Sequence, residues 1–284
     1  MTDFTRSAAE ADQAELDPVV WRIERSYDAI PRRDGVRVEP VGPFELFVRE
    51  SAGWPFYARP RLGATEFSTA DVTAVLARQR ELGVPEAIEW VVEASAGLLP
   101  AVQHLMPVTL APLMVLDANA LPPATDGARL LDPAATSFAD DCAVSFAVAQ
   151  VGFGFAGTST GPPGPVERDA ATTPLEPAML ESIARGLLAG QMAEAVVVDG
   201  TSGIVARGAF QSALGAAEIV GVATLPSARQ RGHGAAVSAL LAREALARGN
   251  EIVFLSAASE DVARVYARIG FRRIGTAAIA APQS

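Results

Sequence analysis

The chain has 284 residues, half of them apolar and a fifth charged, which is enough for one large hydrophobic core or two smaller ones. Its formal net charge of -10 and pI near 4.8 argue against a nucleic-acid-binding protein, which needs a basic surface. All 23 basic residues are arginine, so a Walker-type phosphate-binding lysine, a Schiff-base lysine and a Ser-Lys catalytic pair are excluded.

The composition also limits metal chemistry and membrane association. One cysteine and two histidines form no ligand set for a structural zinc site and no disulfide, so we expect no metal cofactor. The N-terminal stretch lacks the apolar segment of a signal peptide, and no run of about 18 apolar residues occurs. We therefore expect a cytoplasmic protein without a membrane or nucleic-acid partner.

The first part of the chain predicts short helices and strands. A helix extends to about Pro31, because its apolar residues share one face: Leu16, Val19, Val20, Ile23 and Tyr27. Short strands interrupted by glycine and proline follow within residues 32–50 and 53–63. A second helix begins at a capping Ser68 or Thr69 and ends at Gly83. A strand, a helical turn and another strand are then expected at residues 85–93, 97–105 and 109–117.

A linker divides this part from the rest of the chain. Residues 118–127 contain two prolines and an Asp-Gly pair between two apolar segments. We therefore place a domain boundary near residue 125, with domains at 1–124 and 125–284.

The second part predicts a mixed sheet. A strand at 128–132 precedes a helix that Thr136 or Ser137 caps and that extends to about Gln150, and residues 154–174 are expected to form an irregular Gly/Pro-rich loop. Further elements follow in the order helix, three strands, helix, strand, helix, strand. They lie at residues 177–190, 194–210 (two strands), 217–226, 251–256, 260–270 and 271–280, and the helix between 226 and 251 is indicated by the helical spacing of Val237, Leu240, Leu241 and Ala245. Antiparallel strands followed by strands that alternate with helices indicate the α/β (α+β) class.

The stretch "ARQRGHGAAV", residues 228–237, has the composition of an anion site. Arg229, Gly232 and Gly234 lie between a strand and a helix, where backbone amides can turn toward a ligand at the positive end of the helix dipole. A Rossmann motif needs a third glycine where this chain has Val237, and a P-loop needs a lysine. Neither nucleotide-binding motif therefore fits.

R-x-x-G-x-G between a strand and a helix resembles the pyrophosphate-binding motif of the GNAT N-acetyltransferases. "ARVYARIGF" resembles the next signature of that superfamily, with its alanine, tyrosine and terminal Gly-Phe. The resemblance extends over roughly residues 125–284. It implies the GNAT acyltransferase fold, with a mixed central sheet flanked by helices, and acetyl-CoA as co-substrate.

The resemblance also assigns a cofactor site. It implies that the pantetheine arm lies along the backbone of Val222, Ala223 and Thr224, beside a strand bulge for which Gly221 is suited. The pyrophosphate would be held by the amides of Gln230, Arg231, Gly232, His233, Gly234 and Ala235. Arg229 and Arg231 would add positive charge, while the His233 imidazole is expected at the protein surface.

Two side chains are candidates for proton transfer. The resemblance places the phenol of Tyr266 beside the coenzyme sulfur as a general acid, although a helical stripe also allows Tyr266 to be a core residue. Glu218 is the only acidic residue of an apolar strand, which suits a general base with a raised pKa, and its alternative is a carboxylate with purely structural partners. Cys142 and His104 are expected to be structural.

The sequence therefore predicts an N-acetyltransferase in which an amine attacks the thioester directly, with the amide of Val222 polarising its carbonyl. The acceptor would be an amine-bearing small molecule or a peptide N-terminus. The alternative is a non-catalytic sensor or scaffold that binds acyl-CoA. The first part of the chain resembles a smaller, degenerate GNAT-like α/β domain without a phosphate motif, and its candidate roles are to shape the substrate cleft or to form a homodimer contact.

Overall fold

In the computed structural model, which describes residues 17–33, 35–121 and 127–282, the chain divides into two units. The first part contains α1 (Pro18–Ala29), β1 (Val36–Val41), β2 (Phe44–Arg49), β3 (Arg59–Pro60), α2 (Thr69–Leu82), β4 (Ile88–Val91), α3 (Leu98–Val102) and β5 (Val108–Leu116). The second part contains β6 (Ala128–Leu130), α4 (Phe138–Phe153), α5 (Pro165–Ala171), α6 (Pro177–Leu188), β7 (Met192–Val198), β8 (Ile204–Ala213), β9 (Ala216–Thr224), α7 (His233–Ala247), β10 (Ile252–Ser256), α8 (Glu260–Ala267) and β11 (Phe271–Ala280).

Unit 1 comprises the described residues up to Leu113 together with those from Ile274 onward. Its strands β1, β2 and β3 form an antiparallel sheet, and β4 pairs antiparallel with the end of β11. Its apolar core includes Phe44, Leu46, Ile88, Trp90 and Leu98. Unit 1 thus has its own core, to which the C-terminal end of the chain contributes Ala278 and Ala280.

Helix α2 of unit 1 follows its sequence signals closely. Ser68 and Asp71 form a capping box, in which each side chain bonds the backbone amide of the other residue. The helix ends at Gly83, whose φ of +64° is the left-handed conformation that glycine adopts at low cost. The predicted start and end of this helix are confirmed.

Unit 2 contains the described residues of Met114–Arg273, and its sheet has the strand order β5-β10-β9-β8-β7-β6. Strands β6 to β9 are antiparallel neighbours, whereas β10 pairs parallel with β9. The apolar core brings helices α4, α6, α7 and α8 together with the strands. The predicted mixed sheet flanked by helices is confirmed.

Residues 154–174 are more regular than their composition predicts, since they include α5. Pro165 occupies the first helical position, and the side chain of Glu167 accepts a hydrogen bond from the amide of Gly164 at 2.7 Å. Arg168 anchors the helix by donating to the carbonyls of Ser202 and Ile204. The expectation of an irregular loop is therefore wrong for this part, because contacts distant in sequence stabilise a helix there.

The other differences between prediction and structure concern the residues at which helices and strands begin and end. Helix α4 continues three residues beyond the predicted Gln150, and the strand expected within 53–63 reduces to the two residues of β3. The predicted domain boundary near 125 falls within residues 122–126, and Leu16 of the first predicted helix lies in 1–16, both outside the described residues. Residues from Ile274 onward belong to unit 1 in the structure. The boundary predicted near residue 125 instead places them in the second domain.

Candidate functional site

A cavity of about 1110 Å³ opens in unit 2 along the C-terminal part of β9. Its walls come from the segment after α4, from β9, from the turn before α7, from the end of β10 and from α8. Every site residue predicted from the sequence lines this cavity except Arg231. The fold therefore brings the glycine turn, Glu218 and Tyr266 to one place.

A bulge interrupts β9 inside this cavity. The register of β8 on β9 shifts between Arg207 and Ala209, where two residues of β9, Gly221 and Val222, stand opposite one residue of β8. Gly221 has a φ of +62°, and a Cβ at this position would lie 2.5 Å from Nη1 of Arg207. Only glycine fits here without displacing the arginine, so the bulge predicted at Gly221 is confirmed.

β9 pairs with β8 along one edge, and along its other edge it separates from its parallel neighbour β10. Pairing with β10 covers Ala216–Glu218 on β9 and Ile252–Phe254 on β10, and ends there. Residues 219–224 continue past the last pair and line the cavity. Backbone groups on this edge of the strand are thus placed where a ligand with an extended polar chain could bond to them.

The glycine-rich turn leads directly into α7. Gln230 and Gly232 have positive φ values of +63° and +84°, and α7 begins at His233 without a side-chain cap. The amides of His233, Gly234 and Ala235 belong to the first helical turn and have no intrahelical acceptor. Because a Cβ built on Gly232 meets no heavy atom of the described residues within 4 Å, open space adjoins this turn.

Two side chains of the turn lie close to Asp199. The guanidinium of Arg231 is 3.3 Å from the Asp199 carboxylate and is mostly exposed. Nε2 of His233 lies 4.0 Å from the same carboxylate; it is buried and has no hydrogen-bond partner in the described part of the chain. His233 is thus more enclosed than the surface position expected for it, and it lines the cavity.

Arg229, the first residue of the motif, bonds to backbone carbonyls. Its guanidinium has five N–H donors, and five carbonyl oxygens accept from it at 2.7–3.3 Å: those of Gly152, Phe155, Gly157, Ser159 and Thr224. Arg229 can add charge to the site, but its donors are already used by the protein. Its observed task is to fix the segment after α4, which forms one wall of the cavity.

Glu218 is buried on β9 and accepts a hydrogen bond from the side-chain amide of Gln211 at 3.1 Å. It is also the last residue of β9 that pairs with β10. Glu218 therefore sits where the two strands begin to separate, and it is one of the residues that line the cavity.

Tyr266 on α8 is half-buried at another wall of the cavity. Its ring meets the ring of Phe271 edge to face at 5.7 Å. Burial raises the pKa of Tyr266 to about 12, although a hydrogen bond with Ser238 acts in the opposite direction. The phenol therefore stays protonated throughout the neutral range, as a proton donor must.

The described residues offer neither a cluster of metal-binding side chains nor a membrane-spanning helix. Residues 17–33, 35–121 and 127–282 contain no group of three or more His, Cys, Asp and Glu side chains that could hold a metal ion. No helix in these ranges is both long and apolar enough to cross a membrane.

Similar folds occur among solved structures described as acetyltransferases. A GCN5-related N-acetyltransferase from Kribbella flavida is 22% identical, with a TM-score of 0.65 over 95% of this chain and 98% of that one. An acetyltransferase of the GNAT family from Novosphingobium aromaticivorans is 16% identical, with a TM-score of 0.53 over 95% and 99%. A GCN5-related N-acetyltransferase-like protein from Streptococcus suis is 12% identical, with a TM-score of 0.52 over 96% of each chain. The chain therefore has the GNAT fold.

A protein-family model also matches the part of the chain that contains the glycine turn and the segment around Tyr266. Residues 197–279 match the family described as FR47-like protein, and these include β9, the glycine turn and Tyr266. No curated protein matches the chain. The predicted resemblance to the GNAT superfamily is confirmed, while the second GNAT-like domain in the first part of the chain stays a prediction.

Sequence reasoning missed two features, one in the cavity wall and one behind it. One is the wall at residues 152–158, whose only local signal is a pair of glycines next to Phe153 and Phe155. The other is Arg207, which contacts the bulge from β8. Its role depends on partners far away in the sequence, so no motif indicates it.

Proposed function

We propose that this protein is an acyltransferase that takes the acetyl group of acetyl-CoA and transfers it to an amine. The observation that carries the proposal is that a bulged, partly unpaired strand and a glycine turn at a helix N-terminus meet in one cavity. The first offers backbone groups to an extended polar chain, and the second offers amides to a phosphate. The names of the structures with a similar fold support the same activity.

The residues of the turn fit a pyrophosphate. The first-turn amides of α7 adjoin open space, and the helix dipole adds partial positive charge there. In this proposal, the amides of residues 230–235 hold the pyrophosphate, and Val222, Ala223 and Thr224 bond to the pantetheine arm. Arg229 contributes by holding the wall at residues 152–159 and by its charge.

The transfer requires a bond from the amine nitrogen to the acyl carbon and loss of the bond between that carbon and sulfur. We assign Glu218 to accept the proton that the amine releases, directly or through water. The amide of Val222 polarises the acyl carbonyl, and Tyr266 gives its proton to the departing sulfur. Tyr266 then recovers a proton from solvent, and Glu218 releases the proton that it accepted to solvent.

The acceptor in this proposal is an amine-bearing small molecule or a peptide N-terminus. The first part of the chain is proposed to be a degenerate GNAT-like domain that does not bind coenzyme, so that one chain binds one acetyl-CoA. It would shape the acceptor cleft or a homodimer contact.

Calorimetric titration with acetyl-CoA and a turnover assay test the proposal together. Turnover is followed as free thiol released in the presence of a panel of polyamines, amino acids, aminoglycosides and short peptides, with mass spectrometry of the acceptor. We expect saturable binding and an acetylated amine from the panel. Binding without turnover on any amine would favour the sensor or scaffold instead, and absence of binding would refute both functions.

A further inference from the structure

A buried polar network lies directly beneath the bulge of β9. Arg207 of β8 donates from Nη2 to the carboxylate of Glu194 at 2.6 Å and from Nε to the hydroxyl of Ser145 at 3.0 Å. The Ser145 hydroxyl in turn donates to Glu194. Ser145 and Glu194 are almost completely buried, and the side chain of Arg207 is 11% exposed. The network therefore joins α4, β7 and β8 in the interior of unit 2.

The same guanidinium reaches a third strand. Nη1 of Arg207 donates to the carbonyl oxygen of Gly221 at 3.0 Å, at the bulge itself. Glu194 pairs with Ala209 across β7 and β8, so Glu194 and Arg207 are diagonal neighbours on one face of the sheet. Arg207 is thus held by Glu194 and Ser145 in the position from which it bonds to the bulge.

This hydrogen bond fixes the direction of the next amide. The carbonyl of Gly221 and the N–H of Val222 belong to one peptide plane, and in a trans peptide they point in opposite directions. Because Arg207 holds the carbonyl on the network side, the Val222 N–H must point away from the network. Val222 lines the cavity.

The other face of the sheet leaves the bulge little room to move. A Cβ built on Gly208 would lie 2.7 Å from Val237 of α7 and 3.1 Å from Val222, so α7 packs closely over the strand at this point. The bulge is therefore fixed between α7 on one side and the guanidinium of Arg207 on the other. A loss of Arg207 would free the peptide to rotate while leaving the glycine turn of α7 in place.

We propose that Arg207, anchored by Glu194 and Ser145, is a positioning residue that aims the Val222 amide at the acyl carbonyl of the substrate. The inference rests on the proposed function. It assigns Arg207 no contact with the acyl-CoA. Its contribution is the orientation of one backbone donor, and such a donor acts only if it is aimed before the reaction begins.

Two variants test this role in the full-length protein. Arg207→Lys keeps a positive charge beside Glu194 but loses the planar fork that reaches three partners at once. The double variant Glu194→Leu with Arg207→Met removes both charges together, so that no unpaired charge remains buried. The control is Glu24→Leu with Arg59→Met, because Arg59 and Glu24 form a similarly buried pair in unit 1 and line no part of the cavity. Arg59 also pairs with Glu89, whose carboxylate is partly exposed and can be solvated when Arg59 is replaced.

We expect kcat to fall about 10- to 100-fold in both Arg207 variants, somewhat less than the loss for removal of an oxyanion donor. The Kd for acetyl-CoA should change by less than about threefold, since the proposed phosphate contacts remain. The control should lower the melting temperature by a similar amount and leave kcat per folded molecule unchanged. A merely structural network would affect both pairs in the same way.

A spectroscopic measurement examines the donor directly. Isotope-edited infrared spectra of acetyl-CoA labelled with carbon-13 at the acyl carbonyl should show a lower stretching frequency when it is bound to the wild-type protein. This shift should be reduced in the Arg207 variants under saturating coenzyme. An undiminished shift with unchanged kcat would overturn the role of Arg207 while leaving the proposed function intact, whereas absence of binding to the wild type would overturn both.

Discussion

The glycine turn gives the sharpest test of the proposed coenzyme site, because the chain contains a matched control for it. Gly232 and Gly249 both have φ values of +84°, and a Cβ built on either meets no heavy atom of the described residues within 4 Å. Gly232 directly precedes α7 and lines the cavity, whereas Gly249 follows the other end of this helix. Substitution by alanine therefore imposes the same local change at both positions, and only one of them is in the site.

The substitutions are expected to change two free energies: that of unfolding in both variants, and that of coenzyme binding in Gly232→Ala alone. A left-handed alanine costs roughly 1–2 kcal/mol, and the smaller conformational freedom of the unfolded chain offsets about 0.4–1 kcal/mol. Both variants should thus lose up to about 1.5 kcal/mol of unfolding free energy. At Gly232 the new methyl group enters the space proposed for a phosphate oxygen, where one charge-assisted hydrogen bond contributes roughly 1.5–3 kcal/mol.

We therefore expect Gly232→Ala to weaken acetyl-CoA binding by about 2 kcal/mol, which is about 30-fold in Kd, and Gly249→Ala to leave it unchanged. Calorimetric titration gives the Kd values, and chemical denaturation of the same preparations gives the unfolding free energies. If Gly232→Ala binds within a factor of two of Gly249→Ala while both are folded, the phosphate is not at this turn.

Four further results are expected for this site. Tyr266→Phe keeps the ring against Phe271 and should lower kcat by about 10²- to 10⁴-fold with Kd unchanged. The melting temperature should change little, since only the hydrogen bond with Ser238 is lost; wild-type turnover would remove Tyr266 from the mechanism. Because the Tyr266 pKa is about 12, its contribution to kcat should persist to about pH 11, and an earlier loss that Tyr266→Phe abolishes would contradict this. Arg229→Lys offers three donors to five carbonyls, so amide hydrogen exchange at residues 152–159 should increase, and unchanged exchange would contradict the anchoring role. Titration should give one coenzyme per chain, and two equivalent sites would refute the degenerate first domain.

The features that could be predicted from sequence are those that depend on neighbouring residues. The ends of α2 follow from Ser68, Asp71 and Gly83, which act within one helical turn of their own position. The glycine turn is similar, because Gly232 and Gly234 lie directly between β9 and α7. In both cases the local chain contains all the groups that the conformation requires.

The features that could not be predicted depend on residues that are distant in sequence. Helix α5 is anchored by Arg168 to carbonyls more than 30 residues away, so its Gly/Pro-rich surroundings indicate a loop. The network below the bulge joins Ser145, Glu194 and Arg207 from one helix and two strands, with no fixed spacing. Neither contact leaves a periodic pattern in the sequence, and each becomes visible only when the sheet is assembled.

Two arginines of unit 2, Arg207 and Arg229, stabilise irregular backbone segments by donating hydrogen bonds to their carbonyls. A backbone carbonyl outside a helix or a sheet loses its hydrogen bond to water when it is buried. If no protein donor replaces the water, the unpaired carbonyl lowers the stability of the fold. Arg229 supplies five donors to the segment after α4 and the end of β9, and Arg207 supplies one to the bulge while it remains bonded to Glu194 and Ser145. A lysine ammonium has three donors at a single point and cannot span such sets of acceptors. The walls of the cavity therefore depend on the shape of the guanidinium group as well as on its charge, and for that reason lysine is the informative substitution at both positions.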